Sequence, residues 1–276
     1  MQADSRPSRT AYRVALRRAQ HQLIDRPRVL DDPIAIPIVG ADAVDALPDA
    51  PWDRFLRAFM VARSRFAEDA LGDAVAAGVR QYVVLGAGLD TFAYRNPHAG
   101  LRVFEVDHPA TQAWKRERLA AAQVPLPDTL TFAAVDFEHD TLADGLARAG
   151  FDAGAPSFFS WLGVVPYLTR DAIERTLAYI GARPARSGVV FDYAPDAASL
   201  SPQQRIAVDA LAARVAAAGE PFQSAFEPRD LDRAMRRAGF STIEDVDASA
   251  INARYFSDRT DGLRVGGVGR LMRGVV

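Results

Sequence analysis

Two glycines flanking one alanine, Gly86-Ala87-Gly88, end the apolar run Tyr82-Val83-Val84-Leu85. A carboxylate, Asp107, stands 21 residues after the first glycine, at the end of a second run, Arg102–Val106. A strand that leads into Gly-x-Gly turns sharply and brings main-chain N–H groups within reach of a bound nucleotide. An acid about 20 residues further on suits the hydroxyls of a ribose. Asp107 also precedes His108-Pro109, where it could instead favour the start of a helix. Glu105 lies on the same strand face and is the reserve candidate. A third apolar run, Leu130–Val135, ends in Asp136-Phe137, which offers a carboxylate for an exocyclic amine and a ring for stacking on a base.

The glycine turn does not complete a dinucleotide fingerprint. Thr91 occupies the third glycine's position, and Pro97 leaves little room for a long helix whose dipole would hold phosphates. A cofactor without a pyrophosphate fits better.

Short apolar runs alternating with amphipathic ones must position these residues. Strands are expected at Gln81–Leu85, Arg102–Val106, Leu130–Val135, Ser157–Trp161, Gly188–Tyr193, Thr242–Val246 and Gly267–Met272. Between them, helices are expected at Pro109–Ala122, Thr141–Ala149, Arg170–Ile180, Pro202–Ala218 and Pro228–Ala238, with Thr169 as an N-cap and Gly239 as a C-terminal stop. Two helical runs precede the first strand, Tyr12–Leu23 and Trp52–Leu71, the latter with a core stripe of Phe55, Phe59 and Phe66. This order predicts an α/β fold with a mostly parallel seven-stranded sheet, a terminal antiparallel pair and added N-terminal helices. One domain over 1–276 is expected: a helical cap over 1–75, then an α/β core over 76–276 with an inserted segment near 195–228.

Composition narrows the chemistry. With 49% hydrophobic and 25% charged residues the chain can bury an ordinary core, and a net charge of -2 offers no basic field for nucleic acid or anionic lipid. The absence of cysteine excludes disulfides, thiolate metal sites and cysteine nucleophiles. His21, His98, His108 and His139 are scattered without metal-ligand spacing, so no metal is expected. No apolar stretch approaches the ~20 residues of a membrane span, and no export signal is legible, so a cytoplasmic protein is expected. Lys115 is the sole lysine among 33 basic residues, so an arginine by its charge says little about function.

Taken together, several segments resemble the leucine carboxyl methyltransferase-like family of S-adenosylmethionine-dependent enzymes, including its bacterial branch of O-methyltransferases of secondary metabolism. The matching stretches are Arg63-Ser64-Arg65-Phe66, Val84–Thr91 with Tyr94-Arg95, Phe104–Pro109, and Trp161–Val164 with Tyr167-Leu168, besides Thr10-Ala11 and Asp32-Pro33. The resemblance implies a Rossmann-like class I methyltransferase that binds S-adenosyl-L-methionine. By it, Arg63 would pair with the methionine carboxylate, the turn Gly86, Ala87, Gly88 would meet the aminoacyl portion, Asp107 the ribose, and Asp136 and Phe137 the adenine. Arg65 competes with Arg63 for its role. Relatives of the phosphatase methyltransferase often carry Glu where this chain has Leu162, so one cofactor contact is missing here.

Methyl transfer to a carboxylate needs no base, whereas a hydroxyl acceptor needs one. His108 and Tyr167 are the weak candidates for that role, and Tyr94 is a further candidate for lining the acceptor pocket. The acceptor expected is a small molecule, its carboxylate or hydroxyl, held between the N-terminal helices and the segment around Pro195 to Pro228; oligomeric state is not legible. Two rival readings are a nicotinamide-dependent oxidoreductase on the same glycine turn and a non-catalytic cofactor-binding protein. A short-chain dehydrogenase would want Tyr-x-x-x-Lys, but Thr111 stands four residues before Lys115. The P-loop and the Gly-x-Ser-x-Gly elbow are both absent.

Overall fold

The computed structural model describes residues 9–45, 51–136, 140–217 and 219–276. Phe137 and His139 therefore lie outside the described residues. Seven strands form one sheet: β1 (Gln81–Leu85), β2 (Arg102–Asp107), β3 (Leu130–Ala134), β4 (Ser157–Trp161), β5 (Gly188–Tyr193), β6 (Thr242–Val246) and β7 (Arg270–Val275). Their spatial order is β3-β2-β1-β4-β5-β7-β6. β1 to β5 pair in parallel, and β7 runs antiparallel to both β5 and β6. The strand order reverses between β1 and β4, the place where open parallel sheets bind ligands.

β1, β4 and β5 are buried along their whole length, as continuous apolar strands covered on both faces should be. Alternation divides their side chains between two cores. Tyr82 and Val84 join Phe66, Phe92 and Leu71 on one face, while Val83 and Leu85 join Phe104, Phe159 and Phe191 on the other. The first face is covered by α4 (Pro51–Ala76) and α10 (Ala248–Tyr255), the second by α6 (Leu142–Arg148), α7 (Arg170–Gly181) and α9 (Pro228–Ala238). Thr169 caps α7 by accepting the Ala172 N–H at 3.3 Å, and α9 stops at Gly239 with φ 110°.

A third cluster holds the N-terminal helices α1 (Arg9–Ile24), α2 (Ala35–Val39) and α3 (Ala41–Asp45) against Leu89 and against Leu119 of α5 (Pro109–Ala121). A buried polar knot ties α1 to α4. Arg57 donates to both oxygens of Asp25 (2.8 and 3.1 Å), and His21 Nδ1 lies 2.8 Å from the same carboxylate. The remaining helix, α8 (Pro202–Ala217), follows β5 and lies within the expected insertion.

Three expectations are corrected. The last strand spans Arg270–Val275 rather than Gly267–Met272, because Gly266–Gly269 forms a turn, with the Val268 N–H bonded to the Gly266 carbonyl at 2.9 Å. β3 stops at Ala134, one residue early. Phe66 is core and Phe59 packs against it, but Phe55 is 38% exposed and falls outside the stripe.

Candidate functional site

A cavity of about 470 Å³ opens at the carboxyl ends of β1, β2 and β4. Gly86, Ala87 and Gly88 form its floor, with Asp90, Asp107 and Ser160 from the strand ends. α1 contributes Thr10, Ala11, Val14 and Arg18; α4 contributes Arg63; and the segment 219–223, after α8, contributes Glu220 and Gln223. Thr10 Oγ1 donates to Glu220 across the cavity's mouth, joining the two ends of the chain's cover.

The turn has its shape because two of its residues are glycine. Gly86 has φ 65° and Gly88 φ 46°, and a Cβ on Gly86 would lie 2.4 Å from Val164 Cγ2. All three N–H groups of the turn are used within the fold. Gly86 and Ala87 both donate to the Val106 carbonyl (2.9 and 3.1 Å), and Gly88 donates to Asp107 Oδ2 (2.6 Å). The N–H groups expected to meet a ligand are thus spent on β2. A phosphate needs such donors; what Gly86, Ala87, Gly88 and Asp107 retain is acceptor capacity, which suits hydroxyl and ammonium groups. The structure also explains the early Pro97: only a short 3₁₀ turn, Phe92–Arg95, follows β1.

Asp107 lies half-buried at the end of β2, where Oδ1 accepts the His108 N–H at 2.7 Å. Each carboxylate oxygen holds one backbone N–H and keeps a further lone pair, enough for a pair of ribose hydroxyls. Burial raises its pKa above the ordinary carboxylate value, opposed by the Gly88 and His108 N–H groups and by the ammonium of Lys115. Glu105 shares its side of the strand but is sealed below, paired with Lys115, and does not line the cavity.

Arg63 is 5% exposed, not the solvated helix residue that an arginine-rich composition makes ordinary. Its Nη1 donates to Asp192 Oδ2 at 2.9 Å, and Asp192 Oδ1 accepts the Gly163 N–H. Asp192 thereby fixes Arg63, itself a residue of the cavity lining, against the loop after β4. Arg65, the competitor, is half-exposed and bonds Asp69 at 2.7 Å, away from the cavity. Leu162 lines the cavity, so no carboxylate enters from that position. Asp136 follows β3, its N–H bonded to Asp140 at 3.1 Å, and is not a lining residue.

His108 and Tyr167 line the cavity; Tyr94 does not. His108 caps α5, its Nδ1 accepting the Ala110 N–H at 3.2 Å. In the neutral ring Nε2 then carries the proton and acts as a donor. Tyr167 stacks at a tilt on Phe222, with ring centroids 5.3 Å apart, and burial raises its pKa, so its phenol stays protonated.

Three residues of the site escaped the sequence, two of them lining the cavity and one behind it. Arg18 donates to Asp32 and Thr91, is itself buried, and lies 3.8 Å from Asp90. It was hidden by the arginine bias. Asp192 had a signal, since it stands near the end of a strand as Asp107 does, but it acts through Arg63 rather than lining the cavity. Glu220 lay in a segment identified only in outline. Among the described residues no group of three or more His, Asp or Glu side chains could hold a metal ion, and no helix is long and apolar enough to cross a membrane.

The sheet order, the glycine turn and the strand-end acid define a class I S-adenosylmethionine-dependent methyltransferase fold. Across 99% of the chain it is similar to a solved structure described as a "putative methyltransferase" from Thermobifida fusca (TM-score 0.60, 18% identity, 96% of that chain). Residues 11–181 match the family model for leucine carboxyl methyltransferase. The chain belongs to that family. It is 36% identical over 206 residues to the "Putative S-adenosyl-L-methionine-dependent methyltransferase YktD" of Bacillus subtilis, covering 74% of this chain and 67% of that one. A similarly named protein of Mycolicibacterium smegmatis is 39% identical over 188 residues, covering 62% of this chain and 61% of that one. The chain thus spans roughly two thirds of the length of these curated relatives. Membership overturns the nicotinamide alternative, and the spent N–H groups give the physical reason.

Proposed function

We propose that the protein is an O-methyltransferase that uses S-adenosylmethionine to methylate a carboxylate or hydroxyl of a small molecule. The observation that carries this reading is one cavity at the β1/β4 switch point whose floor offers acceptors, not phosphate-binding donors. The cofactor, when bound, supplies an electrophilic methyl group on a sulfonium. Asp107 would accept the ribose hydroxyls, the turn Gly86–Gly88 would border the aminoacyl portion, and Arg63 would pair with its carboxylate. Asp136 and Phe137, which follow β3 in the sequence, would frame the adenine beyond the lining given above.

The acceptor would lie under α1 and the segment 219–223. Both line the cavity, and they would exclude water from it and orient the nucleophile toward the methyl group. His108 and Tyr167 present donors rather than bases, which suits an acceptor that arrives as a carboxylate. A hydroxyl acceptor would need its proton taken by one of the acids lining the cavity.

Calorimetric titration with S-adenosylhomocysteine tests the cofactor, with NAD as the competing ligand. Incubating methyl-labelled cofactor with small carboxylic acids and phenols tests the acceptor. Label released by mild alkali marks a methyl ester, and label that resists it marks an ether. Label found only on nitrogen or sulfur would overturn the oxygen assignment. Cofactor binding with no labelled product from a broad extract would favour the non-catalytic reading.

A further inference from the structure

Beneath Asp107 the fold buries an ion pair that methyl transfer does not use. Glu105 precedes Asp107 by two residues on the same face of β2, and Lys115 reaches it from α5, one turn after the cavity-lining Thr111. Nζ lies 2.6 Å from Oε2, and both side chains are 1% exposed. The Tyr94 hydroxyl donates to the same oxygen at 3.4 Å, and its ring centroid is 5.4 Å from the ammonium. Gln112 donates to the Glu105 carbonyl at 3.0 Å, fixing α5 to the strand. Glu105 Oε1 is buried without a hydrogen-bond partner.

Stability does not account for such a pair, because two apolar side chains of similar volume would hold the same space without the desolvation cost. Its position does. The next inward-facing residue is the acid that must stay ionised to receive two hydroxyls, in surroundings whose burial favours the protonated form. We infer that the Lys115–Glu105 pair is an electrostatic support for the ribose site: Lys115 holds Asp107 ionised, and Glu105 fixes the ammonium and moderates its field. This rests on the reading of Asp107 as the ribose acid. Lys115 and Glu105 are positioning residues that act through Asp107 and touch no ligand.

The pH behaviour follows from the charges around the pair. Burial, against the pull of Lys115, pushes the Glu105 carboxyl up to about 7. The other groups facing this cluster are Asp90 in the turn after β1, His108 at the head of α5, Tyr94, and Arg116 beside Lys115. As pH falls through neutrality Glu105 takes a proton, and the pair gains net positive charge beside Asp107, whose raised pKa that charge opposes. The acid limb of cofactor binding is thereby delayed.

Breaking the pair from either side separates this role from a structural one. S-adenosylhomocysteine affinity is measured by calorimetry from about pH 5 to about pH 8.5, with folding checked by circular dichroism, for Lys115→Met, Glu105→Gln and Asp107→Asn. A shift of one unit in the acid that governs binding changes affinity by up to ~10-fold on the acid limb. Lys115→Met should move that limb to higher pH, weakening binding by up to ~10-fold at the acid end of the range and by less than ~3-fold at its alkaline end. Glu105→Gln should move it to lower pH and bind at least as tightly as the unaltered protein. A purely structural pair would give losses in the same direction for both variants, which overturns the inference, as would no shift in either. If Lys115→Met does not fold, a Glu105→Gln limb that fails to move down overturns it by itself. Asp107→Asn should bind weakly with no acid limb; wild-type affinity there refutes the ribose reading itself, a result distinguishable from failure of the inference.

Discussion

Replacing Asp192 by alanine strips Arg63 of its carboxylate and the Gly163 N–H of its acceptor at one stroke. Arg63 is 5% exposed and meets solvent only through the cavity it lines, so little water is at hand to replace the lost partner. Removing one half of a buried ion pair costs about 3–5 kcal/mol, mostly from the charge left behind. At ~2–4 °C per kcal/mol for a domain of about this size, melting should fall by roughly 6–20 °C. Urea unfolding followed by circular dichroism measures the free energy, and scanning calorimetry the temperature. The companion variant Arg63→Met/Asp192→Leu replaces both charges with apolar volume and should recover most of that stability. It should not recover S-adenosylhomocysteine affinity, which should stay ~10–100-fold weak if Arg63 gives the ligand a charged hydrogen bond worth ~1.5–3 kcal/mol. A loss below about 1 kcal/mol in Asp192→Ala would show that the pair is not the anchor its geometry indicates. Full affinity in the double variant would remove Arg63 from the cofactor site.

Two further outcomes follow from local geometry. Gly86→Ala forces a left-handed φ of 65° on a residue whose Cβ would sit 2.4 Å from Val164 Cγ2, and should cost ~2–4 kcal/mol in urea unfolding and most S-adenosylhomocysteine binding. Val164→Ala in that background should return the collision's share only; complete rescue would show that the backbone is not strained. Asp25 is held down to about 2 by its bonds to His21 and Arg57, against the effect of burial. Its depressed pKa adds ~2 kcal/mol of stability, present above about pH 4 and lost as pH falls through about 2. Asp25→Asn should therefore be less stable near neutrality, with the gap to the unaltered protein closing in acid; a gap independent of pH would refute the assignment.

Much of the fold could be read because burial pattern and chain order say the same thing. β1, β4, β5 and β6 begin and end at the expected residues, since Gly, Pro and polar positions bound apolar runs of strand length. The last strand slipped by three residues because its glycines look like strand interior in one dimension and form a turn in three. Gly269 lies so close to Phe59 that a Cβ there would stand 2.6 Å from that ring. α2 and α3 were missed, being only five residues each and held by packing on α1 rather than by their own periodicity. In the site, the turn and Asp107 line the cavity as the sequence suggests, because strand ends face it. Where the turn's N–H groups go was not, since Val106 accepts two of them through a carbonyl that no side-chain pattern reveals. Asp192 and Arg18 act through partners far away in sequence, and only the fold joins them.

The solitary lysine has a practical consequence. A lysine-specific protease finds one target in this chain, and that bond lies in the middle of α5 with the side chain 1% exposed. Cleavage therefore requires α5 to unwind from β2, so its rate reports how often this part of the molecule opens. Because Asp107, His108 and Thr111 line the cavity at the head of the same helix, opening of α5 takes that lining apart, and a ligand held by it should protect the bond. The cutting rate should fall by the factor 1 + [L]/Kd. A two-fragment gel would then read opening and occupancy together, with no label and no known methyl acceptor.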